Sequence, residues 1–405
     1  MQELHNAQRL ICGDIAIKLK KPGQGKEEEK KTAWGKKFSH NREQAGKIIN
    51  REVNKVETTK TIIVILGVFF LINFVTCKKK EMEIPQANLG RGINLGNALE
   101  APQEGEWGIV IQEYFFDKIK DVGFKAVRIP IRWSAHTETH FPYTINESFF
   151  QRVDDVINQA LAGNLNVIIN VHHFDELTED PLQHEEKLYQ IWRQIIERYS
   201  GFPDQLIFEL LNEPHEALTS DLWNQFIINL LEIIREANPE RLVIIGSVQW
   251  NSISGLDSLI LPQDQNLIAT FHYYSPFNFT HQGAEWVEGS DSWLGTTWEG
   301  TEAEMSDITN DLDKAVRWAA RNEIPLFMGE FGAYYKADYE SRIRWTRFLA
   351  REAEKRDISW AYWEFGAGFG IYDIEKNEWD MGLLNALIPH VLVFDKDASP
   401  QSQSH

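Results

Sequence analysis

The stretch Gln205-Leu-Ile-Phe-Glu-Leu-Leu-Asn-Glu-Pro214 decides the fold. The run Leu206 to Leu211 has strand length and the near-continuous apolar character of a strand buried on both faces. It ends in Asn212, Glu213 and Pro214. Proline donates nothing to a sheet ladder and pushes the residue before it away from helical angles. A carboxylate therefore stands at the mouth of a hydrophobic strand, beside an amide that can hydrogen-bond a ligand.

A second stretch repeats the arrangement. In Glu323-Ile-Pro-Leu-Phe-Met-Gly-Glu-Phe-Gly332, the apolar segment Ile324 to Met328 leads into Glu330, flanked by Gly329 and Gly332. Two carboxylates at two strand ends form the pair that cleaves glycosidic bonds, one protonating the leaving oxygen while the other attacks or activates water.

Outward from these stretches, short apolar strands alternate with amphipathic helical segments from Asn88 onward. The patterns predict helices over 112–122, 147–161, 185–199, 222–237, 308–321 and 339–355, with a last one inside 379–392. Strands are expected at 92–96, 124–130, 166–171, 205–211, 242–246, 267–272, 324–328 and 359–363. Roughly eight βα units over about 300 residues fit a single (β/α)8 TIM barrel, an α/β fold. A doubly wound sheet is the runner-up, but no glycine-rich phosphate loop follows the first strand. The expected catalytic domain is 88–395, with a linker at 78–87 and a disordered tail at 396–405.

The first eighty residues read differently. Residues 1–60 carry 14 Lys/Arg against 8 Asp/Glu and little periodicity, the signature of a disordered or mis-assigned extension. Residues 81–405 hold 24 bases and 52 acids, a net of −28 that argues against nucleic acid or anionic lipid as a partner. The apolar run Ile62 to Val75 is short for a membrane span and suits a signal-peptide core, so 61–77 reads as a signal segment. Cys77 follows it as a lipid-acceptor cysteine would, although Phe74-Val75-Thr76 is a poor version of the preceding motif. A lipoprotein signal is the leading expectation, ahead of an ordinary signal peptide and an uncleaved anchor. Translation is expected to start near Val53 or Val56, and the product to be exported, at the cell surface or in the periplasm, or else secreted. With only Cys12 and Cys77 present, processing leaves no disulfide, and the core must hold the fold.

A TIM barrel gathers its chemistry at the C-terminal ends of its strands. There stand Asn94 and Asn97, Arg128, His172 and His173, Asn212 and Glu213, His272 and Tyr274, Glu330, and Trp363 with Glu364. The ordered set Gly92-Ile-Asn-Leu-Gly-Asn97, Val127-Arg-Ile-Pro-Ile-Arg-Trp133, Asn170-Val-His-His-Phe174, Leu211-Asn-Glu-Pro214, Phe271-His-Tyr-Tyr274, Met328-Gly-Glu-Phe-Gly332 and Trp360-Ala-Tyr-Trp-Glu-Phe365 resembles the family 5 glycoside hydrolases over about 88–390. Asn97 to Pro102 and Thr280 to Gly289 are similar to a bacterial subgroup that accepts β-1,4-glucans and mannans.

The resemblance implies Glu213 as general acid/base and Glu330 as nucleophile. Arg128 and Tyr274 would hydrogen-bond the Glu330 carboxylate and favour its charge. Asn212 suits the sugar 2-hydroxyl, His172 and His173 other sugar hydroxyls, and His272 the orientation of Glu213 or the leaving group. Of the 14 tryptophans, Trp363 is placed beneath the sugar at the cleavage point, and Trp250 and Trp286 elsewhere on the substrate. Trp293 and Trp298 stay open, and Trp223, Trp318 and Trp345 read as packing. Adjacent histidines on a strand face opposite ways and no third ligand has suitable spacing, so no metal or other cofactor is expected.

The leading expectation is a retaining endo-β-1,4-glucanase acting as a monomer on a β-1,4-linked polysaccharide. An endo-β-1,4-mannanase, or one enzyme for both polymers, is the rival, with Asn94, Asn97, Glu100, His172 and His173 deciding. A polysaccharide-binding protein of a glycan-uptake system is the non-enzymatic alternative, weakened because both glutamates are present.

Overall fold

Short apolar strands, buried along their length, build a closed ring. The structure, a computed structural model, describes residues 84–389. The expected extension and signal segment with Cys12 and Cys77, the start near Val53 or Val56, and the tail all lie outside the described residues. The eight strands are β1 Arg91–Asn94, β2 Ala126–Ile129, β3 Asn166–Asn170, β4 Leu206–Glu209, β5 Val243–Gly246, β6 Leu267–His272, β7 Leu326–Glu330 and β8 Ser359–Tyr362. Each pairs in parallel with the next, and β8 pairs with β1 to close the barrel. Helices α1 Glu113–Asp121, α2 Glu147–Ala162, α3 Pro181–Tyr199, α4 Ser220–Ala237, α5 Glu302–Asn322, α6 Tyr339–Glu354 and α7 Met381–Leu387 follow all strands but β5. After β5 the chain makes only short turns, among them the 3-10 segment Ile253–Ser258.

Caps set the helix starts. Asn146, Asp180, Thr219 and Asp338 each accept from a backbone N–H in the first turn of α2, α3, α4 and α6. Two helices begin earlier than their apolar periodicity suggests. Helix α3 starts at Pro181, where a missing N–H costs nothing, and α5 starts behind a Thr301/Glu304 capping box. Their first turns put little apolar surface into the core, so hydrophobic spacing does not report them.

Every strand is buried on both faces, for two different reasons. One face packs outward against the helices: Val167 and Ile169, Leu206 and Phe208, Val243 and Ile245, Leu326 and Met328 belong to the large core between strands and helices. The other face fills the barrel. Ile168, Ile207, Ile244, Ile268, Phe327 and Ala361 form a separate inner cluster, closed from below by Ala87 and Leu89. One step of two residues towards the C-terminal mouth, the inner face turns polar, at Arg128, Asn170, Glu209 and Thr270. The apolar layer thus supports a polar one, and the site is built on the latter.

Candidate active site

The pairing of β6 with β7 slips by one residue near its end. Phe271 pairs with Met328, but His272 pairs with Glu330. Gly329 is the extra residue of a bulge, and a bulge re-aims the next side chain. Simple alternation from Phe327 would turn Glu330 outward; the bulge turns it into the barrel mouth. Glycine is needed there, because a Cβ would stand 2.9 Å from Thr270 Oγ1 and 3.0 Å from His272 Nε2.

Glu330 is 5% exposed and gripped from two sides. Arg128 Nη1 donates to Oε1 at 2.7 Å and the Tyr274 hydroxyl donates to Oε2 at 2.9 Å. Burial works against its charge, but His272, Arg128 and the Tyr274 hydrogen bond more than offset that, so its pKa lies below the ordinary glutamate value. Tyr274 stays protonated, its pKa driven well up by burial and by the neighbouring Glu330 charge.

Glu213 is reached differently. Strand β4 stops at Glu209, and Glu213 lies four residues on, in a left-handed conformation at φ 47°. Its Oε1 meets His272 Nδ1 at 2.7 Å. The same nitrogen is 3.6 Å from Glu330 Oε2. Burial opposes charge on His272, but Glu330 and Glu213 outweigh it and raise its pKa. Carboxylate oxygens of Glu213 and Glu330 and the His272 nitrogen all lie within 4.8 Å of one another. Among the described residues this is the one group with donor atoms spaced to hold a metal ion. Within it, the His272–Glu213 contact is a hydrogen bond, and the His272–Glu330 contact at 3.6 Å is an ion-pair distance.

The other expected residues divide into those facing the cleft and those behind it. Asn212 accepts from Arg128 Nη2 at 2.8 Å through its Oδ1, which leaves its NH2 group to a ligand. His172 Nδ1 accepts from the Asn170 amide at 3.1 Å, so Nε2 carries the hydrogen. Burial, then the His173 and Arg128 charges, hold its pKa well below the usual value. The imidazole lies parallel to Trp363, with centroids 5.9 Å apart. Trp363 itself sits where Gly96 and Gly332 leave room: a Cβ on Gly96 would stand 2.9 Å from its ring, and one on Gly332 would strike its carbonyl oxygen. Three residues expected on the sugar lie behind this surface. Asn94 is fully buried and donates to the carbonyls of Gly329 and Tyr362. Arg128 is also fully buried. Glu100, 1% exposed, accepts from the backbone N–H groups of Asn97 and Ala98, and burial raises its pKa to about 8. It shapes the loop that carries Asn97.

Around the mouth, Trp250 is 54% exposed and stacks on His215, and Trp286 is 61% exposed against Tyr334. Gln249, Trp250 and Asn251 are three consecutive left-handed residues, a costly turn that holds the indole out. Trp298 is buried against Phe348 and belongs to the core, as do Trp223, Trp318 and Trp345. Sequence reasoning passed over Trp107, which meets His173 edge-on at 5.5 Å. It also passed over Glu209, which binds Arg128 through two hydrogen bonds.

Comparison with known proteins identifies the family. Residues 88–368 match the family model described as cellulase, glycosyl hydrolase family 5. A solved structure of Thermotoga maritima Cel5A with mannotriose superposes with a TM-score of 0.73 at 51% identity, covering 74% of this chain and 97% of that one. Endoglucanase H of Acetivibrio thermocellus is 40% identical over 306 residues, 74% of this chain. The chain spans about a third of the length of that relative, 33%. Endoglucanase B of Clostridium cellulovorans is 29% identical, over 74% of this chain and 72% of its own length. The chain belongs to the cellulase family, glycosyl hydrolase family 5.

Proposed function

We propose that the chain is an endo-acting β-1,4-glucanase that cleaves with retention of configuration, with Glu330 as nucleophile and Glu213 as acid and base. The observation that carries this is the approach of the two carboxylates to within 4.8 Å. Retaining enzymes use carboxyl groups about 5–5.5 Å apart, whereas inverting enzymes need about 6.5–9.5 Å to admit a water.

The ionised Glu330 attacks the anomeric carbon as the glycosidic C–O bond breaks. The leaving oxygen takes the proton shared between Glu213 and His272. Glu213 then removes a proton from water, which attacks the glycosyl ester and frees Glu330. The Asn212 NH2 group donates to the sugar 2-hydroxyl, a bond that tightens as charge develops on the ring. Trp363 lies beneath that sugar, and Trp250 and Trp286 offer flat apolar faces to units on either side. Several such platforms around an open mouth suit cleavage within a chain, and the endoglucanase relatives support the same reading.

Mannan is the second substrate to consider, because Thermotoga maritima Cel5A has been solved with cellobiose as well as with mannotriose. Initial rates on carboxymethyl-cellulose, barley β-glucan, glucomannan and galactomannan test both. Release of new reducing ends from the first two is expected, and inactivity on all four contradicts the proposal. NMR of the first product should show the β-anomer; an α-anomer would overturn retention. Export, with a lipid on Cys77 and action as a monomer, completes the proposal, since a polysaccharide does not enter a cell. Mass spectrometry of the mature N-terminus tests the lipid.

A further inference from the structure

Arg128 uses all five of its N–H groups inside the protein. Nε and one hydrogen of Nη2 go to the two oxygens of Glu209, at 2.6 and 2.8 Å. Nη1 serves Asn94 Oδ1 at 2.9 Å and Glu330 Oε1 at 2.7 Å. The remaining Nη2 hydrogen serves Asn212 Oδ1 at 2.8 Å. No donor is left for a sugar, so Arg128 acts only through what it holds. It holds the carboxylate that attacks and the amide that meets the 2-hydroxyl.

The plane of the guanidinium is set by its two-point grip on Glu209, because paired parallel hydrogen bonds fix orientation as well as distance. Glu209 is fully buried, on the inner face of β4 directly above Ile207. It touches neither the reacting atoms nor the cleft. We propose that Glu209 is a positioning residue of the catalytic site, aiming Glu330 and Asn212 through Arg128 and balancing the Arg128 charge. This rests on the hydrolase reading given above.

The charge balance gives the proposal a signature. Around Arg128 stand the charged Glu209 and Glu330, the Glu213–His272 pair, and the neutral His172 and Tyr274. His173 and His281 also feel the Glu330 charge. Without the negative charge of Glu209, the excess positive charge of Arg128 makes every nearby acid give up its proton more readily. The acidic limit, set by ionisation of Glu330, moves to lower pH. The alkaline limit, set by loss of the proton on His272, moves the same way. A residue that merely supported the barrel would lower activity without moving either limit.

The test compares Glu209→Gln and Glu209→Asp with the wild type by kcat, KM and the pH profile of kcat/KM on a soluble cello-oligosaccharide. Glu209→Gln, nearly isosteric but uncharged, should lose about 10²-fold in kcat with KM almost unchanged. Both limbs of its profile should move acidward by about one pH unit. Glu209→Asp keeps the charge but shortens the reach, so it should lose kcat while keeping the wild-type limits. A folded Glu209→Gln enzyme with wild-type kcat, or with unmoved limbs, overturns the proposal. Should that variant fail to unfold cooperatively on heating, Glu209→Asp decides, and wild-type kcat in it overturns the positioning role. Failure of the hydrolase reading would show instead as no turnover by the wild type.

Discussion

Glu330 and Glu213 stand at the same barrel mouth, yet β7 and β4 deliver them in unlike ways. Glu330 is the last residue of its strand, turned inward by the Gly329 bulge and held by Arg128 and Tyr274. Glu213 lies four residues past the end of β4, and its carboxyl has a single side-chain partner, His272. Its side chain is 24% exposed against 7% for Glu330. With the roles proposed for them, the difference follows the chemistry. A nucleophile must reach one carbon from one direction, and preorganisation serves it. An acid that becomes a base must serve two oxygens in turn, the leaving one and that of water, and looser restraint suits it.

The comparison breaks most sharply on removal of either carboxylate. Glu330→Ala should lose about 10⁴-fold or more in kcat on every substrate. Azide placed in the vacated space should form an α-glycosyl azide, detectable by NMR. Residual turnover without an added nucleophile would deny the fixed role of β7. Glu213→Gln should lose about 10²–10⁴-fold on glucan. It should stay close to the wild type in the first-step burst on an aryl cellobioside, whose good leaving group needs no proton. Equal losses on both substrates would erase the distinction between the two ends.

A smaller effect is expected from the bulge. In Gly329→Ala the new methyl presses on Thr270 and His272, and kcat should fall by about 10- to 10²-fold with little change in KM. The same substitution tests whether the bulge, rather than the strand, aims Glu330. Trp250→Ala should instead raise KM several-fold, about 1 kcal/mol of lost stacking, and leave kcat nearly unchanged.

The smallest effect concerns a third carboxyl, Glu364, fully buried after β8. It accepts only from backbone N–H groups, those of Gly366, Ala367 and Phe369. Burial dominates, and its pKa rises to about 7, the reverse of Glu330 with its cations. The sign follows. Below the unfolded value of 4.5 both states keep this proton, and above it the unfolded chain loses the proton first. Stability therefore falls as pH rises from about 4.5 to about 7. Glu100 acts likewise, up to about 8. Glu330 is opposite: its contribution is present above 4.5 and lost as pH falls through its depressed folded value. Melting temperatures across this range should decline less steeply in Glu364→Gln than in the wild type.

Much of the architecture was legible because strand and helix periodicities persist over many residues. All eight expected strands form, and the two glutamates stand beside each other although 117 positions separate Glu213 from Glu330. The inward turn of Glu330 was not legible, since one inserted glycine looks like any other strand-end glycine. Glu209 could have been found. It lies inside the apolar run Leu206 to Leu211, in phase with Ile207, and an acid on the inner face of a barrel strand needs a cation. Arg128 occupies the corresponding layer of β2. Hydrophobicity alone could not separate Trp298 from Trp286, since both are indoles in one loop and only packing tells the core residue from the exposed one.

The five-way engagement of Arg128 also bears on when the protein becomes competent during folding. Its acceptors come from β1, β4, the turn after β4 and β7, spread from Asn94 to Glu330 along the polymer. Such distant contacts form late, after the intervening loops have closed. Until the ring shuts, the guanidinium keeps its hydration and the Glu330 carboxylate has no fixed bearing. Recovered turnover during refolding is therefore a signal of barrel closure, and it should lag behind the return of helical circular dichroism.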